Sequence, residues 1–503
     1  MARSRFLSSF RRSGMADQTD SISPSRRELQ QLVLEAAAVM TQPPVGHRVL
    51  WKLDPAELGV ACVTVGLPRM RTCGFRDAFH RRLVWWPDGI TDRRRVTILS
   101  SRIGARHDQY RWWFDLLRTA VLRINVSDEC AVAVDGTAPH AATMRAAEIF
   151  GIPRLNFTVH DGVADTDQLA DWLATRIDET RAGPAGADPL TWRAQVSPLL
   201  LHAALPAWPA VTDQTRRSPI KDQCAVAAGE RSRVLACRPG GYIHDLLRNR
   251  LQETATAAAI CYVASGPGTQ EGVFDELIRL GAVPWLVAGI NSASQLAGRA
   301  SANATSSTVV NGGPLDRPQD WLCHWTRPCA GPWPGQSVSE YLDELLLGCE
   351  TSDRSALATL LQIMAHRIVL ASVIRKRHQA VSFTAVALSE FRRRRVYRRH
   401  RRRYDFEPWG IAVRRDALSD LEIQPVRYGS RDERHPEQSS GLFQPATDQS
   451  GSIDWREEQE WRLMNDLRLD VLPDAAICLF VDSPAEAEFI RQQGEWPVVV
   501  VPD

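Results

Sequence analysis

Lysine is almost missing from this 503-residue chain: Lys52, Lys221 and Lys376 are the three present, so nearly all positive charge is arginine. A GC-rich genome accounts for that bias as readily as a need for guanidinium chemistry does. Net charge is nearly absent too. Sixty-one basic against 59 acidic residues leave a formal +2, which excludes a polyanion binder working through overall electrostatics and confines any such role to a local patch. No run of about 18 apolar residues is there to cross a bilayer, and the start MARSRFLSSFRRSG lacks the apolar centre of a secretory signal. These absences predict a soluble, cytoplasmic protein without a membrane partner. Ten cysteines scattered from Cys62 to Cys478, with no CxxC pair, supply neither a zinc site nor a disulfide framework, so no metal is expected.

What is present is ordinary globular composition, 24% charged and 44% hydrophobic. At roughly 100–200 residues per domain the length holds several domains. Residues 1–30 are expected to be a disordered leader and 46–288 a first domain. Residues 289–320, small, polar and nearly free of aromatics, should link it to a second domain over 321–503.

Within the first domain one pattern occurs twice. Val96-Thr-Ile-Leu-Ser-Ser101 is a short apolar run closed by Arg102-Ile-Gly104, after which Trp113, Leu116, Leu117 and Ala120 recur at helical spacing. The run Ala131–Val134, the turn Asp135-Gly136-Thr137, a helical stretch around Met144 to Phe150 and the run Arg154–Phe157 complete the unit. The second copy reads Arg233–Cys237, Arg238-Pro-Gly-Gly241, a helix from Tyr242, Ile260–Ala264, Ser265-Gly-Pro-Gly268, a helix from Gln270 to Leu280, and Val283–Val287. Strands alternating with such helices require a mostly parallel sheet with right-handed crossovers. An α/β, doubly wound, Rossmann-like domain is therefore expected.

In such sheets ligands sit beyond the carboxyl ends of the strands, where glycines admit backbone N–H groups to a phosphate. Gly104, Gly136, Thr137, Arg238, Gly240, Gly241, Gly266 and Gly268 occupy those turns. They are the candidate nucleotide-binding residues, with Arg238 as a charged clamp, although the same glycines serve tight turns and packing equally well. The arrangement resembles the nucleotide-binding Rossmannoid domains of the lysine-decarboxylase-like and DNA-processing families, whose glycine pair precedes Gly-Thr and then a Glu. Here Gly266-Pro-Gly-Thr269 is followed by Glu271, one residue early, and the Pro-Gly-Gly lies on another turn.

Beyond the linker come Trp321-Leu-Cys-His-Trp-Thr326, helical segments Ser337 to Leu347 and Ser355 to His366, and the strand-like Ala380-Val-Ser-Phe-Thr384. Further on stand Trp409-Gly-Ile-Ala-Val413, Gln424-Pro-Val-Arg-Tyr428 and Glu458-Gln-Glu-Trp-Arg462. This succession resembles the ADP-ribosyltransferase superfold, and in particular the AbiGi-type antitoxin family of bacterial abortive-infection systems. The resemblance covers residues 321 to about 481 and implies an α+β fold with NAD as cofactor. Cleaving a nicotinamide–ribose bond passes through an oxocarbenium-like state that a carboxylate stabilises. Glu460 is the candidate, with Glu458 on the same face of a strand to orient or deprotonate the acceptor. His324 and Thr326 would bind ribose, Ser382 would donate a hydrogen bond and Phe383 would stack on nicotinamide. Against this, DWREEQE reads equally as a solvated acidic stretch, and a histidine between Cys and Trp as a structural residue.

Phe391 to Arg403 (FRRRRVYRRHRRR) holds nine arginines. In one compact helix they repel one another unless acids or phosphates lie against them. Internal salt bridging comes first; a polyanion bound through Arg392, Arg393, Arg394, Arg395, Arg398 and Arg399 comes second.

Three functions follow. One is an NAD-dependent ADP-ribosyltransferase of a phage-defence system, gated by a nucleotide-sensing N-terminal domain. Another is a non-catalytic, antitoxin-like or nucleic-acid-binding regulator with a protein or nucleic-acid target. The third is nucleotide chemistry in the N-terminal sheet, where Asp135 and Glu271 near helix starts could act as the base.

Overall fold

The computed structural model describes residues 24–40, 48–52, 61–65, 82–87, 93–182, 190–200, 219–253, 260–286, 313–374, 378–398, 403–430, 441–447 and 454–502. The chain forms two compact units, Met1–Ile103 with Trp113–Ile290 and Gly104–Trp112 with Asn291–Asp503.

The first unit opens with helix α1 (Arg26–Met40) and strands β1 (Arg48–Lys52), β2 (Ala61–Val65), β3 (Leu83–Pro87) and β4 (Arg94–Ser100). Alternation of helix and strand follows: α2 (Arg111–Leu122), β5 (Glu129–Val134), α3 (His140–Ile149), β6 (Arg154–Val159), α4 (Thr166–Ala182), β7 (Thr191–Val196), α5 (Ile220–Ala228), β8 (Arg231–Ala236), α6 (Tyr242–Glu253), β9 (Ile260–Ala264), α7 (Glu271–Arg279) and β10 (Val283–Trp285). They build a ten-stranded sheet of order β1-β2-β3-β7-β6-β5-β4-β8-β9-β10. From β7 to β10 every pairing is parallel. The unit is thus mixed α/β, with its order reversing between β4 and β8, the doubly wound arrangement.

The sequence accounts for these elements directly. All six residues of β5 are buried, as in a parallel strand covered on both faces. In α2, Trp113, Phe114, Leu116, Leu117, Ala120 and Val121 form the buried stripe, the spacing of one helical face. Arg250 of α6 is 2% exposed, and its guanidinium donates to Val226 O (2.5 Å), Gly229 O (2.8 Å) and Ser232 Oγ (2.8 Å), satisfying carbonyls at the end of α5.

Two expectations change here. Residues 26–30 are not leader: Leu29, Leu32, Val33, Ala36 and Ala37 of α1 pack with Leu169, Ala170, Leu173 and Ile177 of α4 and with Leu83 and Trp85 of β3. That apolar stripe is worth burying, so the helix belongs to the unit, while 1–23 lie outside the described residues. The parallel sheet also gains an antiparallel flank, β1 to β3, joined antiparallel to β7. Of 289–320, residues 289–312 lie outside the described residues.

The second unit comprises β11 (Trp321–Trp325), α8 (Val338–Leu347), α9 (Ala356–His366), β12 (Ser372–Ile374), β13 (His378–Thr384), β14 (Gly410–Arg414), β15 (Gln424–Pro425), β16 (Glu460–Met464), β17 (Ile477–Val481), α10 (Pro484–Arg491) and β18 (Val498–Val500). Its eight-stranded sheet runs β15-β16-β13-β11-β14-β17-β18, with β12 beside β13. Pairing is antiparallel except between β17 and β18, so the unit is α+β. One sheet face packs Leu322, Phe383, Ile411 and Leu463 with Leu360 and Ile363 of α9 and Ile490 of α10. The other carries Cys323, Trp325, Ala412 and Phe480 with Phe391.

Candidate functional site

In a doubly wound sheet the turns beyond the reversal point form a crevice. Here those turns are stitched together. Ser101 N–H donates to Ala236 O (2.8 Å), Arg238 N–H to Ser101 Oγ (3.0 Å), and Arg238 Nη2 to Arg102 O (2.6 Å). The turn beyond β8 is tied to that beyond β9 as well, through Cys237 N–H and Gly268 O (3.0 Å). Gly240 N–H, however, donates to His244 Nδ1 (3.2 Å), and His244 Nε2 faces Glu276 Oε2 (3.2 Å). That amide is engaged within the protein, so Gly240 shapes the turn rather than offering its N–H.

Beyond β5, Gly136 adopts φ 74°, a left-handed conformation that glycine takes without strain. Lys221 Nζ, from the first turn of α5, lies 3.1 Å from where a β-carbon on Gly136 would stand. Burial pushes the neighbouring Asp222 carboxyl up, while the charges of Lys221 and Arg102 pull it down. Lys221 therefore brings its charge beside the turn that begins at Asp135. The Asp135 carboxylate is held from three sides: by Asn156 Nδ2 (2.9 Å), Thr158 Oγ1 (2.6 Å) and His140 Nε2 (2.8 Å). Thr137 spends its hydroxyl proton on Val134 O (2.7 Å).

The turn at Gly104 leaves little room for a ligand. Tyr110 occupies the space beside it, the phenol oxygen 2.9 Å from a would-be β-carbon. Gly266 lines a depression of about 330 Å³ beyond β9, together with Ser265, Thr269, Glu271 and Phe274.

The second unit does not bring the expected NAD residues together. Register sets Thr384 opposite Glu460, Phe383 opposite Trp461, and Cys323 opposite Thr384. Directly opposed residues share a face and successive residues alternate. Glu460, Thr384 and Cys323 therefore project to one side, and His324, Phe383 and Trp461 to the other. The sheet itself separates the imidazole from the carboxylate. Ring contact between His324 and Phe383 (centroids 5.8 Å apart) accords with their common face.

Each residue is also committed elsewhere. His324 meets Ser382 O through Nδ1 (2.9 Å), and burial pushes its pKa down to about 4. Thr326 Oγ1 donates to Ala356 O (2.9 Å) and Trp409 O (3.0 Å). Phe383 is a core side chain, 2% exposed. Glu460 receives Arg462 bidentately, Nε to Oε1 at 2.9 Å and Nη2 to Oε2 at 2.8 Å, and Arg462 also donates to Gly441 O (2.5 Å) and Gln444 Oε1 (2.7 Å). Beside them, burial and the nearby Glu460 and Glu458 charges push Tyr428 up to about 12. Glu458 does not share a strand with Glu460: it ends a 3-10 turn, Trp455–Glu458, before Gln459 at φ 45°. The pairing of two catalytic carboxylates is thus replaced by a buried ion pair and a turn residue.

The arginine run is not one helix. Phe391–Arg394 make a single helical turn, and Tyr397–Arg398 pair with Arg403–Tyr404 as an antiparallel ribbon. Arg394 pairs with Glu390 (2.9 Å), and Arg395 pairs with Glu407 (3.1 Å) and stacks on Tyr404 (4.0 Å). Division into two elements spreads the like charges and places acids beside two of them. Arg393 is exposed. Arg399 and the side chains of Arg392 and Arg398 lie outside the described residues.

No protein-family model and no curated protein matches the chain. Among solved structures, DNA processing protein A (DprA) from Streptococcus pneumoniae is similar over 40% of this chain at 11% identity and a TM-score of 0.25. The match spans 62% of that protein. A likeness this slight carries no functional argument.

Ser101, Arg102, His140, Asn156, Thr158, Lys221 and Asp222 were not singled out by sequence as site residues. Two signals pointed to them. Lys221 is one of three lysines, and Asn156 and Thr158 alternate with apolar residues in a strand otherwise fit for the core.

Proposed function

We propose that this is a nucleotide-binding regulatory protein whose first unit holds a nucleotide in the crevice between β4 and β8. The observation that carries the proposal is the placing of two cations at the reversal point of a parallel sheet, Arg238 tied across the turns beyond β4 and β8 and Lys221 beside the turn beyond β5. Cations at that place suit phosphate oxygens. The second unit is then an ADP-ribosyltransferase-like scaffold, as its motif order suggests, acting as an antitoxin-like module without NAD chemistry. Separation of His324 from Glu460 and the Glu460–Arg462 pair favour this over an enzyme.

The test is thermal unfolding of the full chain with ATP, ADP-ribose and NAD. A ligand present at a hundred times its Kd stabilises the folded state by about 2.7 kcal/mol, and Arg238→Ala should lose most of that shift. Absence of any shift at millimolar ligand refutes the proposal.

A second partner is favoured by the ribbon: Tyr397 and Tyr404 meet edge to face across it with centroids 5.2 Å apart and are 49% and 37% exposed. Paired aromatics beside arginine suit single-stranded nucleic acid. Salt-dependent binding of RNA, weakened by Tyr397→Ala, is the expected result; no binding at low salt removes this partner.

A further inference from the structure

We infer that Asp135 and His140 form a general-base pair acting on the phosphoanhydride of a nucleoside polyphosphate, making the first unit a nucleotide hydrolase. This rests on the nucleotide reading of the crevice given above.

The described histidines differ in what they leave over. His244 has both ring nitrogens engaged, one by Gly240 N–H and one by Glu276. His324 is turned onto Ser382 O inside the second unit. His140 alone among these combines a carboxylate partner with a place beside the cationic crevice. Its Nε2 lies 2.8 Å from Asp135 Oδ1 and 3.0 Å from Asn156 Oδ1.

The tautomer follows from the network. Asn156 Nδ2 donates to Asp135 Oδ1, which turns the amide oxygen toward the imidazole; the flipped amide would set oxygen against carboxylate. With acceptors on both partners, Nε2 of a neutral ring must carry the hydrogen. Nδ1 is then left with its lone pair, and no partner for it is found among the described residues. Asp135, itself fixed by Asn156 and Thr158, sets the orientation and stabilises the imidazolium when it forms. That is the role of the carboxylate in any base–orienter pair. Side-chain exposures of 25% for His140 and 39% for Asp135 leave the pair open to water. Gly136, next in the chain, has Lys221 Nζ 3.1 Å from where its β-carbon would stand.

In the step, Nδ1 takes a proton from water as the oxygen attacks phosphorus. The bond from that phosphorus to its bridging oxygen breaks, and the electron pair stays on the leaving phosphate. Lys221 offsets the charge that develops, and the imidazolium returns its proton to the leaving oxygen or to solvent. His140 is the catalytic base; Asp135 and Asn156 are positioning residues.

The experiment uses the full-length protein with ATP and with ADP-ribose, following binding by thermal shift and turnover by chromatography of the products. Wild type should release ADP or AMP, and His140→Gln should turn over about 10²–10⁴-fold more slowly with an unchanged binding shift. His140→Ala should recover activity with added imidazole. Asp135→Asn should lower kcat and leave KM within about twofold, which a merely structural role would not do. Binding without wild-type turnover, or equal turnover in wild type and His140→Gln, overturns the hydrolase and leaves the binding proposal standing. No binding of either nucleotide overturns both.

Discussion

Replacing Glu460 separates a structural from a catalytic role. Glu460 and Arg462 are 12% and 6% exposed at their side chains and joined by two hydrogen bonds, so removing the carboxylate leaves a buried guanidinium without its counter-charge. Breaking such a pair costs about 3–5 kcal/mol. Arg462 keeps its bonds to Gly441 O and Gln444 Oε1, which places Glu460→Ala near the lower end, about 3 kcal/mol. For a unit of about 200 residues each kcal/mol moves Tm by roughly 2–4 °C, so the unfolding of the second unit should fall by about 6–12 °C. Glu460→Leu combined with Arg462→Met should recover most of the loss, because hydrocarbon replaces two desolvated charges. Calorimetry of the full chain reads both effects. Unchanged unfolding in Glu460→Ala, together with loss of a wild-type NAD turnover, would refute the structural role and restore a catalytic one.

Three further outcomes follow from the same structure. His324, neutral in the fold with its pKa pushed down to about 4, contributes stability fully present above about pH 6.5 and lost as the unfolded chain takes up the proton first. The unfolding free energy of the second unit, from urea titrations, should therefore drop between pH 6.5 and 4 by roughly 2–4 kcal/mol, and His324→Gln should flatten that slope; an unaltered slope counts against the assignment. Gly410→Ala should destabilise the unit by about 1–3 kcal/mol, because its methyl would overlap the His324 carbonyl oxygen and the Phe480 ring; a wild-type Tm would show that β14 shifts freely. Arg250→Ala should lower the stability of the first unit by about 2–5 kcal/mol by stranding Val226 O and Gly229 O, measured by chemical denaturation, and a loss below about 1 kcal/mol would mean that water replaces the guanidinium.

Much of the first fold was legible because parallel strands are written as short apolar runs closed by glycine turns: Cys130–Val134 before Asp135-Gly136, and Ile260–Ala264 before Ser265-Gly266. The antiparallel flank was not, since β1 and β2 are five residues each and carry no turn signal of comparable strength. The NAD pocket failed for a different reason. Counting by two along a strand fixes which residues share its face, but the relation of His324 to Glu460 depends on two further pairings, β11 with β13 and β13 with β16. One residue of slip in either would have reversed it. The Asp135 network was hidden likewise, because its members come from β6, α3 and the turn between β5 and α3, adjacent only once the sheet is assembled.

Arg238 spends its waiting time tethered to the Arg102 carbonyl. A long side chain usually surrenders much rotational freedom when an anion captures it, but one already parked on the neighbouring turn has little left to give up. On the proposed reading, an incoming anion would swap a neutral acceptor for charged oxygens at small entropic loss. Arg238→Lys would lengthen the search: the ammonium lacks the planar fork that reaches a carbonyl and an anion alike, so selectivity for charge at this spot depends on the guanidinium's shape as much as on its sign.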